Sequence, residues 1–456
     1  MLNAKSFPKD LINIISVIKN ACLPMPTGRQ AAGRAGFKCY IVGGGIRDLL
    51  LGRKPGLWDL ATDATPDRVI RLFKKVIPTG IEFGTVTVLE NNVPYEITTF
   101  RSDQRYADGR HPSNVTFSRD LKADLSRRDF TINAIAYDPT TGELVDEYGG
   151  RKDLKKKTIR TVGDPLERFS EDGLRPLRAC RFAAILGFDI EKKTLEAIPK
   201  CLETAKKVSM ERVHDELMKM LEADRPSIGI DLMRRSGLLS IYIPELEAGV
   251  GIEQPKPFHK DDVYWHDLHT CDEVSKNKPV LRLAALLHDI AKPRCKVDMT
   301  FYDHDNIGME MAFNIMKRLK FSNEHIEYVA SIIRNHMFNY TSEWSGAAIR
   351  RFIRRVGITR LDDLFELRRA DVKAMGRSVE EGHPRELRRR IKKIIDDQNA
   401  LHIKDLKVDG NDVMKELNIG PGPRIGEILE ALLEKVLDNP ELNTKAKLIE
   451  LIKEYI

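Results

Sequence analysis

The first residues that can do chemistry lie in the segment YIVGGGIRDLLLG. Its apolar start predicts a strand, and Gly43 and Gly44 then open a predicted helix. Bare backbone N–H groups at the positive end of a helix can hold a phosphate group. Arg47, one turn into that helix, can donate two hydrogen bonds to the same phosphate oxygens. The segment therefore predicts a phosphate-binding turn, although the pattern GG-x-x-RD alone identifies no particular protein.

Two further motifs combine cations with acids and amides. RRDFTINAIAYD supplies two guanidinium groups beside a carboxylate and an amide. EDGLRPLRACRF places charged groups at steps of three, which on a helix form one ridge that can face a common cleft. The candidate ligand-binding side chains in these motifs are Arg127, Arg128, Asp129, Asn133, Asp172, Arg175, Arg178 and Arg181.

Asp172 and Arg175 suit the recognition of a nucleobase. A carboxylate can accept a hydrogen bond from the exocyclic amine of cytosine or adenine, and a guanidinium can donate to the acceptors beside that amine. Such a pair matches C and A and mismatches U and G, whereas the alternative is an ordinary surface ion pair. Pro176 cannot donate to the carbonyl of Asp172, so we expect the helix to begin near Leu174 or to bend beside the pair.

Taken in order, these motifs resemble those of the class II tRNA nucleotidyltransferases and bacterial poly(A) polymerases of the polymerase-β superfamily. The similarity continues through VDEYGGRKDL, IRTVGDPLERF and SMERVHDEL and covers nearly the whole chain. It omits CLPMPTGRQAAGRA, which has neither helical nor strand period and predicts an irregular insertion. The resemblance implies an α+β fold, with a polymerase-β-like head built on a mixed sheet and an all-helical neck, body and tail.

The resemblance also implies a metal-binding strand with aspartates at positions i and i+2. Here Asp59 stands at the second position, but Leu57 stands at the first and cannot bind a metal ion. Asp59 with phosphate oxygens can still hold Mg²⁺, which keeps several waters and needs few protein ligands. Glu96, in YEITTFR, is a candidate third carboxylate, and Asp63 is expected to cap the next helix. Catalysis in the head should therefore depend on Asp59 and Glu96 and be weakened by Leu57.

The resemblance assigns the arginines, aspartate and asparagine of RRDFTIN to triphosphate and ribose contacts. A structural ion pair within the head is the alternative role for Asp129. In the same way it assigns Asp172 and the arginines that follow it to reading the incoming base.

A fourth constellation lies in DVYWHDLHTCD, RLAALLHDIAKP and LRRADVKAMG, and it resembles the H…HD…D pattern of HD-type metal-dependent phosphohydrolases. On that match the metal ligands are His266, His288, Asp289 and Asp371, with His304 and His336 as accessories. Imidazole with carboxylate suits Mn²⁺, Ni²⁺, Fe²⁺ or Mg²⁺. Two alternatives stay open: His269 is the first ligand, or the HD-type body is a scaffold without catalysis.

Length and composition fit several helix-rich domains. The chain has 456 residues, of which 42% are hydrophobic and 31% charged, and a formal net charge of +7. No apolar run approaches the ~20 residues of a membrane helix, and six cysteines without paired spacing favour reduced thiols. We therefore expect a cytoplasmic protein without membrane contact. The predicted divisions are an N-terminal helix with the insertion (1–36), head (37–165), neck (166–245), HD-type body (246–400) and tail (401–456).

The resemblance implies CCA addition: transfer of CMP and AMP from CTP and ATP to the 3′ end of tRNA, with no DNA partner. It also implies that the tail contacts tRNA. An A-adding enzyme or poly(A) polymerase is the nearest alternative, although the long polar loop RSDQRYADGRHPSNVTF favours the use of both bases. The loss at Leu57 keeps a non-catalytic tRNA-binding protein as an alternative, and an HD phosphohydrolase with an RNA-binding head is another.

Overall fold

The computed structural model describes residues 7–21, 36–106, 112–255, 260–377, 385–397 and 399–455. The chain divides into two compact units, and the division falls between Pro244 and Glu245. This point is one residue from the predicted end of the neck. The predicted insertion at 22–35 lies outside the described residues, and the finer division into five parts stays a prediction.

A seven-stranded mixed sheet forms the head, in the order β3-β4-β5-β2-β1-β8-β9. Strands β2 and β5 are parallel, and the other neighbouring pairs are antiparallel. Strands β6 and β7 form a separate hairpin. The strands of this unit are β1 Cys39–Val42, β2 Asp59–Thr62, β3 Val76–Gly80, β4 Thr85–Glu90, β5 Val93–Thr99, β6 Arg101–Tyr106, β7 Pro112–Phe117, β8 Ala136–Tyr137, β9 Leu144–Val145, β10 Thr158–Ile159 and β11 Asp189–Ile190.

Short helices surround the sheet, and longer ones form the neck. The α-helices of this unit are Lys9–Asn20, Gly44–Leu50, Pro66–Leu72, Leu121–Ser126, Gly150–Lys156, Pro165–Glu171, Arg175–Leu186, Lys192–Ala197, Leu202–Ala205, Met210–Leu221, Pro226–Arg235 and Leu238–Tyr242. Single 3₁₀ turns occur at Ile81–Phe83, Thr131–Asn133 and Ile198–Cys201. The mixed sheet followed by helices confirms the predicted α+β class.

The second unit is almost entirely helical. Its α-helices are Val263–Glu273, Pro279–Leu287, Lys292–Cys295, His304–Arg318, Asn323–Asn335, Gly346–Val356, Leu361–Ala374, Arg385–Asp396, Gly410–Leu417, Pro423–Asp438 and Lys445–Lys453, preceded by Pro244–Glu247 at the division between the units. Its 3₁₀ turns are Ile358–Arg360, Ile403–Asp405 and Pro440–Leu442, and its one described hairpin joins β12 Lys296–Val297 to β13 Thr300–Phe301. In the described part of the chain, no helix has the length and apolar character needed to cross a bilayer.

The N-terminal helix Lys9–Asn20 packs through one apolar face. Its buried residues follow the spacing i, i+3, i+4 and i+7, namely Leu11, Ile14, Ile15 and Ile18. Just before it, Phe7 stacks on Tyr137 with ring centroids 5.3 Å apart, and near its end Lys19 pairs with Asp138. The predicted N-terminal helix is thereby confirmed, and it packs as part of the head rather than as a separate segment.

Three local predictions are wrong. The polar segment predicted as a loop contributes strands β6 and β7, because backbone pairing does not require an apolar pattern. The strands after Asp164 were not predicted, because two-residue strands such as β11 and β12 are too short to show a period. Asp63 caps no helix: its Oδ1 accepts a hydrogen bond from the Lys38 backbone at 2.7 Å, and the N-cap of Pro66–Leu72 is Thr65.

The neck helix Arg175–Leu186 begins where Pro176 requires. Leu174 is its N-cap and Pro176 its second residue, so the missing proline N–H falls among donors that have no intrahelical partner. The first of the two predicted outcomes, a helix that begins near Leu174, is confirmed. Asp172 therefore precedes the helix and lies on extended backbone.

The two flanks of the predicted insertion run close together. A Cβ built on Gly36 would lie 1.5 Å from the carbonyl oxygen of Lys19, so Gly36 passes directly against the end of the first helix. A loop whose two ends lie close together can be shortened or lengthened at little cost in free energy. We expect a variant lacking Cys22 to Ala35 to keep its melting temperature and its affinity for tRNA, measured by calorimetry and filter binding.

The matched comparison is Gly36→Ala, which should lower the melting temperature because its methyl group meets backbone atoms rather than a movable side chain. A deletion variant that does not fold, or a Gly36→Ala variant as stable as the parent, would contradict this account of the junction.

Candidate active site and metal cluster

Gly43 makes a close approach to a carboxylate and a guanidinium group. Its φ is +70°, in the left-handed region that favours glycine. A Cβ built on Gly43 would lie 3.1 Å from Asp59 Oδ2 and 3.2 Å from Arg128 Nη1. Any side chain here would crowd both groups. The turn therefore brings bare backbone to Asp59 and Arg128, at the entrance to the helix Gly44–Leu50.

Asp59 and Glu96 lie side by side. They are partners in the register of parallel strands β2 and β5, so both side chains project from one face of the sheet. Burial raises the pKa of Asp59 against the opposing charges of Arg128, Arg47 and Arg178. Burial and the charge of Asp59 raise the pKa of Glu96. Because each ionised carboxylate disfavours the other, the pair fits a divalent cation bound between them.

Leu57 occupies the place of the missing carboxylate. It precedes Asp59 by two residues and is 69% exposed, whereas the intervening Trp58 is buried. An aliphatic side chain at this position offers no oxygen to a metal ion. Among the described residues, the groups of three or more ligands that could hold an ion lie in the second unit. In the head, the two carboxylates that strand register aligns are Asp59 and Glu96.

A chain of hydrogen bonds connects the helix Gly44–Leu50 to the neck. Arg47 bonds Asp48 at 2.8 Å through Nε and the side-chain oxygen of Asn133 at 2.9 Å through Nη1. Asn133 donates to Asp129 at 3.0 Å, and Asp129 accepts two hydrogen bonds from Arg178, at 3.0 and 2.8 Å. The alternative role weighed for Asp129, a structural ion pair, is therefore what this geometry shows.

Three guanidinium groups surround the ring of Phe182. Arg181 lies 4.1 Å, Arg47 5.0 Å and Arg178 5.4 Å from its centroid. Glu216 compensates this charge, accepting a hydrogen bond from Arg181 at 2.5 Å and one from Arg178 at 3.1 Å. The predicted ridge of Arg178 and Arg181 is thus present, and the two side chains are held in place by acids and an aromatic face.

Asp172 and Arg175, the predicted base-reading pair, have different partners. Asp172 Oδ2 accepts a hydrogen bond from Arg212 at 2.8 Å. The Arg175 guanidinium is buried and donates to Glu171 at 2.6 Å and to the carbonyl oxygens of Arg168 and Arg127, each at 2.9 Å. In this conformation the Asp172 carboxylate is therefore paired with Arg212 and not with the Arg175 guanidinium.

Three charged residues of the site, Asp124, Arg212 and Glu216, were not identified from the sequence. Asp124 is fully buried and accepts hydrogen bonds from Arg127 at 2.7 Å and Arg128 at 3.3 Å, so it fixes both candidate triphosphate arginines. Arg212 and Glu216 both lie in SMERVHDEL, where they are one helical turn apart. That spacing was the available signal, but nothing in it named Asp172 and Arg181 as the partners.

Six side chains of the second unit converge on one point. His266 Nε2 lies 3.1 Å from Asp371 Oδ1 and 3.7 Å from Asp289 Oδ2, and His288 Nε2 lies 3.4 Å from Asp289 Oδ2. His304 and His336 approach the other oxygen of Asp289, at 3.3 and 3.6 Å. All six are buried. The four predicted ligands and both accessories are therefore brought together, and two possible ion sites share Asp289.

In three of these histidines, a backbone carbonyl oxygen lies within hydrogen-bond distance of Nδ1, which leaves Nε2 to face the cluster. Nδ1 of His288, His304 and His336 lies 2.7, 2.7 and 2.6 Å from the carbonyl oxygen three residues earlier. A carbonyl can only accept, so Nδ1 carries a proton, and in the neutral ring each Nε2 then presents a lone pair to the cluster. Burial also lowers the pKa of His288 to about 3, which keeps that ring neutral. The donor set fits a divalent transition metal ion.

A cavity of about 500 Å³ opens onto this cluster. Its cations are Lys292, Arg368 and Arg377, and Lys292 bonds Asp289 at 2.5 Å while Arg368 bonds Asp371 at 2.8 Å. Metal ligands beside cations suit a phosphate group. His269 belongs to neither of these two groups, and its Nδ1 lies 2.8 Å from Asp261 Oδ2, so the geometry favours His266 as the first ligand.

Comparison with protein families agrees with the order of the motifs along the chain. The model described as "Poly A polymerase head domain" matches residues 39–160. The model described as "Probable RNA and SrmB- binding site of polymerase A" matches 187–249, and that of tRNA nucleotidyltransferase domain 2 matches 300–452.

Individual relatives extend the similarity over the whole chain. The CCA-adding enzyme of Lactococcus lactis subsp. lactis is 32% identical over 431 residues, 92% of this chain and 94% of the relative. The CCA-adding enzyme of Enterococcus faecalis is 32% identical over 427 residues, 92% of each chain. The solved structure of the Bacillus stearothermophilus CCA-adding enzyme in complex with CTP aligns with a TM-score of 0.73 at 28% identity, covering 98% of this chain and 97% of that one. This chain belongs to the family of class II CCA-adding tRNA nucleotidyltransferases.

Proposed function

We propose that this chain transfers CMP and AMP from CTP and ATP to the 3′-hydroxyl of tRNA and releases pyrophosphate. The observation that carries the proposal is the position of Asp59, which touches the Gly43 turn and is in register with Glu96. The relative from L. lactis is a CCA-adding enzyme, and the B. stearothermophilus structure holds CTP. The proposed partners are tRNA, CTP and ATP, without DNA, in the cytoplasm.

In this proposal the head acts by holding and orienting its substrates, as phosphoryl transfer generally requires. Asp59 and Glu96 hold Mg²⁺, which when bound neutralises charge on the triphosphate. Arg128, beside Asp59, binds triphosphate oxygens together with the backbone N–H groups that follow Gly43. Arg127 acts beside Arg128, since Asp124 positions both arginines.

Residues further from the carboxylates select and place the base. Asp172 accepts a hydrogen bond from the exocyclic amine that C and A share. Two arginines are bonded to neighbouring acids. Arg175 donates to Glu171, and Arg212 donates to Asp172 itself. Four further side chains contact the ribose and the base, or position the side chains that make those contacts. They are Asn133, Arg47, Arg178 and Arg181.

One assay separates this proposal from its alternatives. Full-length tRNA that lacks its CCA end is incubated with each labelled nucleotide separately and then with CTP and ATP together. CCA addition requires incorporation of C first and of A only after C. Incorporation of A alone identifies an A-adding enzyme or a poly(A) polymerase, and binding of tRNA without incorporation identifies a non-catalytic protein.

The exposed Leu57 leads to a prediction about rate. We expect nucleotide addition by the parent to be slow and Leu57→Asp to raise kcat by ~10²-fold or more with little change in nucleotide affinity. A ligand that acts mainly in the transition state affects kcat rather than binding. Single-turnover kinetics and nucleotide titration measure the two quantities.

The matched control for Leu57→Asp is Leu57→Ala, which removes the apolar side chain without supplying a ligand. It should leave kcat near the parent value. If Leu57→Asp gives no gain over Leu57→Ala, another group already performs the task of the missing carboxylate.

The Asp172–Arg212 contact leads to a prediction about base choice. We expect Asp172→Ala to reduce the preference for CTP over UTP, measured as the ratio of kcat/KM values, by roughly 10-fold or more, since a site built on a hydrogen bond discriminates strongly against substrates that cannot form it. Arg212→Ala should act in the same direction. Asp215→Ala, an exposed residue on the same helix as Arg212, serves as control and should not change the ratio. Unchanged discrimination in Asp172→Ala would remove Asp172 from base reading.

A second function is favoured by the six buried ligands of the second unit. We propose that this cluster binds a divalent ion, Mn²⁺, Ni²⁺, Fe²⁺ or Mg²⁺, and that the cavity beside it hydrolyses phosphate esters. The orientation of three Nε2 lone pairs towards Asp289 carries this proposal. Lys292 and Arg368 would bind phosphate oxygens of the substrate.

The two sites should be separable by mutation, because they lie in different compact units and share no ligand. We expect Asp59→Ala to abolish nucleotide addition and to spare any phosphatase or cyclic phosphodiesterase activity. His288→Ala combined with Asp289→Ala should do the reverse and should also lower the metal content of the purified protein, measured by elemental analysis.

Stability must be followed for both variants, because the loss of a buried ligand can unfold a domain. A body variant that stays folded and keeps its metal content would refute the metal site. A folded body variant that loses nucleotide addition would show that the cluster is a scaffold for the RNA rather than an independent centre.

A further inference from the structure

Two packed helices of the second unit carry the positive charge of the chain. Gly346–Val356 has four arginines and no acid, and Arg385–Asp396 has six lysines and arginines against two acids. Their ten cations and two acids give a formal net charge of +8, whereas the whole chain has +7. All other residues together therefore sum to −1. This concentration of charge in 23 of the 456 residues, 11 in the first helix and 12 in the second, points to a polyanionic partner.

A groove of about 500 Å³ lies along the first of these helices; we name it the Trp344 groove. It is lined by Trp344, Ala348, Arg351, Phe352, Arg354, Arg355 and Glu434. The Trp344 ring is half-buried and is held edge-to-face by Phe352 at 5.6 Å and Tyr340 at 5.5 Å. A fixed aromatic ring that remains partly open in a groove is suited to stacking with a planar ligand.

The helix Arg385–Asp396 is hydrogen-bonded to the aromatic residues at the groove. Arg390 donates a hydrogen bond to the Tyr340 hydroxyl at 3.1 Å and another to the carbonyl oxygen of Trp344. The aromatic platform and the basic helix Arg385–Asp396 are therefore parts of one surface. On the outer face of that helix Arg389, Lys392 and Lys393 are exposed.

The cations of the groove differ in whether acids already neutralise them. Arg351 bonds Glu434 at 2.9 Å, and Arg354 bonds the same carboxylate at 2.8 Å. Arg355 is exposed, lies 5.8 Å above the ring of Phe352 and forms no ion pair with any residue that the structure describes. Arg355 and Trp344 line the same groove. A cation without an acidic partner can bind the phosphate of a nucleotide, and an aromatic ring can stack on its base.

We propose that the Trp344 groove binds the RNA substrate, with one base stacked on Trp344 and a phosphate bonded to Arg355. The charge on the helix Arg385–Asp396 draws the RNA backbone towards this surface. RNA fits better than an acidic peptide, because a peptide would use the cations and leave the aromatic platform unexplained. The identification of the RNA as tRNA rests on the proposed function.

The test measures binding and catalysis separately. Filter binding with tRNA that lacks its CCA end gives Kd at several salt concentrations, and nucleotide addition gives kcat and KM. We expect Trp344→Ala to weaken RNA binding roughly 5- to 150-fold, the range found for loss of one stacked base. Arg355→Glu should weaken binding and reduce the slope of log Kd against log salt by about 1. Both should raise KM for tRNA while kcat and KM for CTP stay unchanged.

Two controls keep the test specific. Trp344→Phe retains a ring and should restore most of the affinity, which a purely structural role for the indole would not require. Lys317→Glu changes an exposed cation on another helix of the same unit and should reduce the salt slope less than Arg355→Glu does. If Arg355→Glu and Trp344→Ala, both folded by calorimetry, bind RNA like Lys317→Glu, the groove is not an RNA site. If the parent binds tRNA through this groove but adds no nucleotide, the proposed function fails and the groove remains.

Discussion

The ion pair between Asp129 and Arg178 connects the sheet of the head to the first long helix of the neck. One carboxylate oxygen of Asp129 accepts both hydrogen bonds from Arg178, and the other accepts from the Phe130 backbone at 2.8 Å and from Asn133 at 3.0 Å. Burial raises the pKa of Asp129, but the charge of Arg178 and the hydrogen bonds from Asn133 and Arg178 outweigh burial and lower the pKa to about 2. The pair is therefore charged throughout the physiological range.

The consequence for the site is geometric. Arg178 lies in the helix Arg175–Leu186, which follows Asp172. Its hydrogen bonds to Asp129 fix that helix to the head. Arg178 also bonds Glu216, and Glu216 bonds Arg181, so the helix Met210–Leu221 is included in the same network. Removing one member would leave a partly buried charge without its partner, which costs far more than the pair contributes when intact.

The two candidate metal sites are built to different degrees of completeness. In the head, strand register aligns Asp59 with Glu96, but the third position is an exposed leucine. In the second unit six buried ligands converge, and backbone carbonyls fix the protonation of three imidazoles. If the head binds its metal ion as proposed, Asp59 and Glu96 do so without a carboxylate at position 57. The more complete ligand set of the chain lies outside the nucleotidyltransferase head.

From the sequence we could predict the α+β class, the N-terminal helix and the side chains of the histidine cluster, and Pro176 limited the neck helix to two possible forms. The two forms of the neck helix follow from the missing proline N–H, whereas the fold class and the ligand set follow from the resemblance of the ordered motifs to known families. The folded arrangement was needed to show that Asp172 pairs with Arg212 and that Asp124 holds both arginines of the RRD motif. It also shows that His304 and His336 approach one oxygen of Asp289 while His266 and His288 approach the other. A sequence shows which groups each segment offers and which of them share a face. The partner that neutralises a given charge 40 residues away is chosen by the packing of whole elements, because many acids compete for each guanidinium and only the folded arrangement brings one within hydrogen-bond distance.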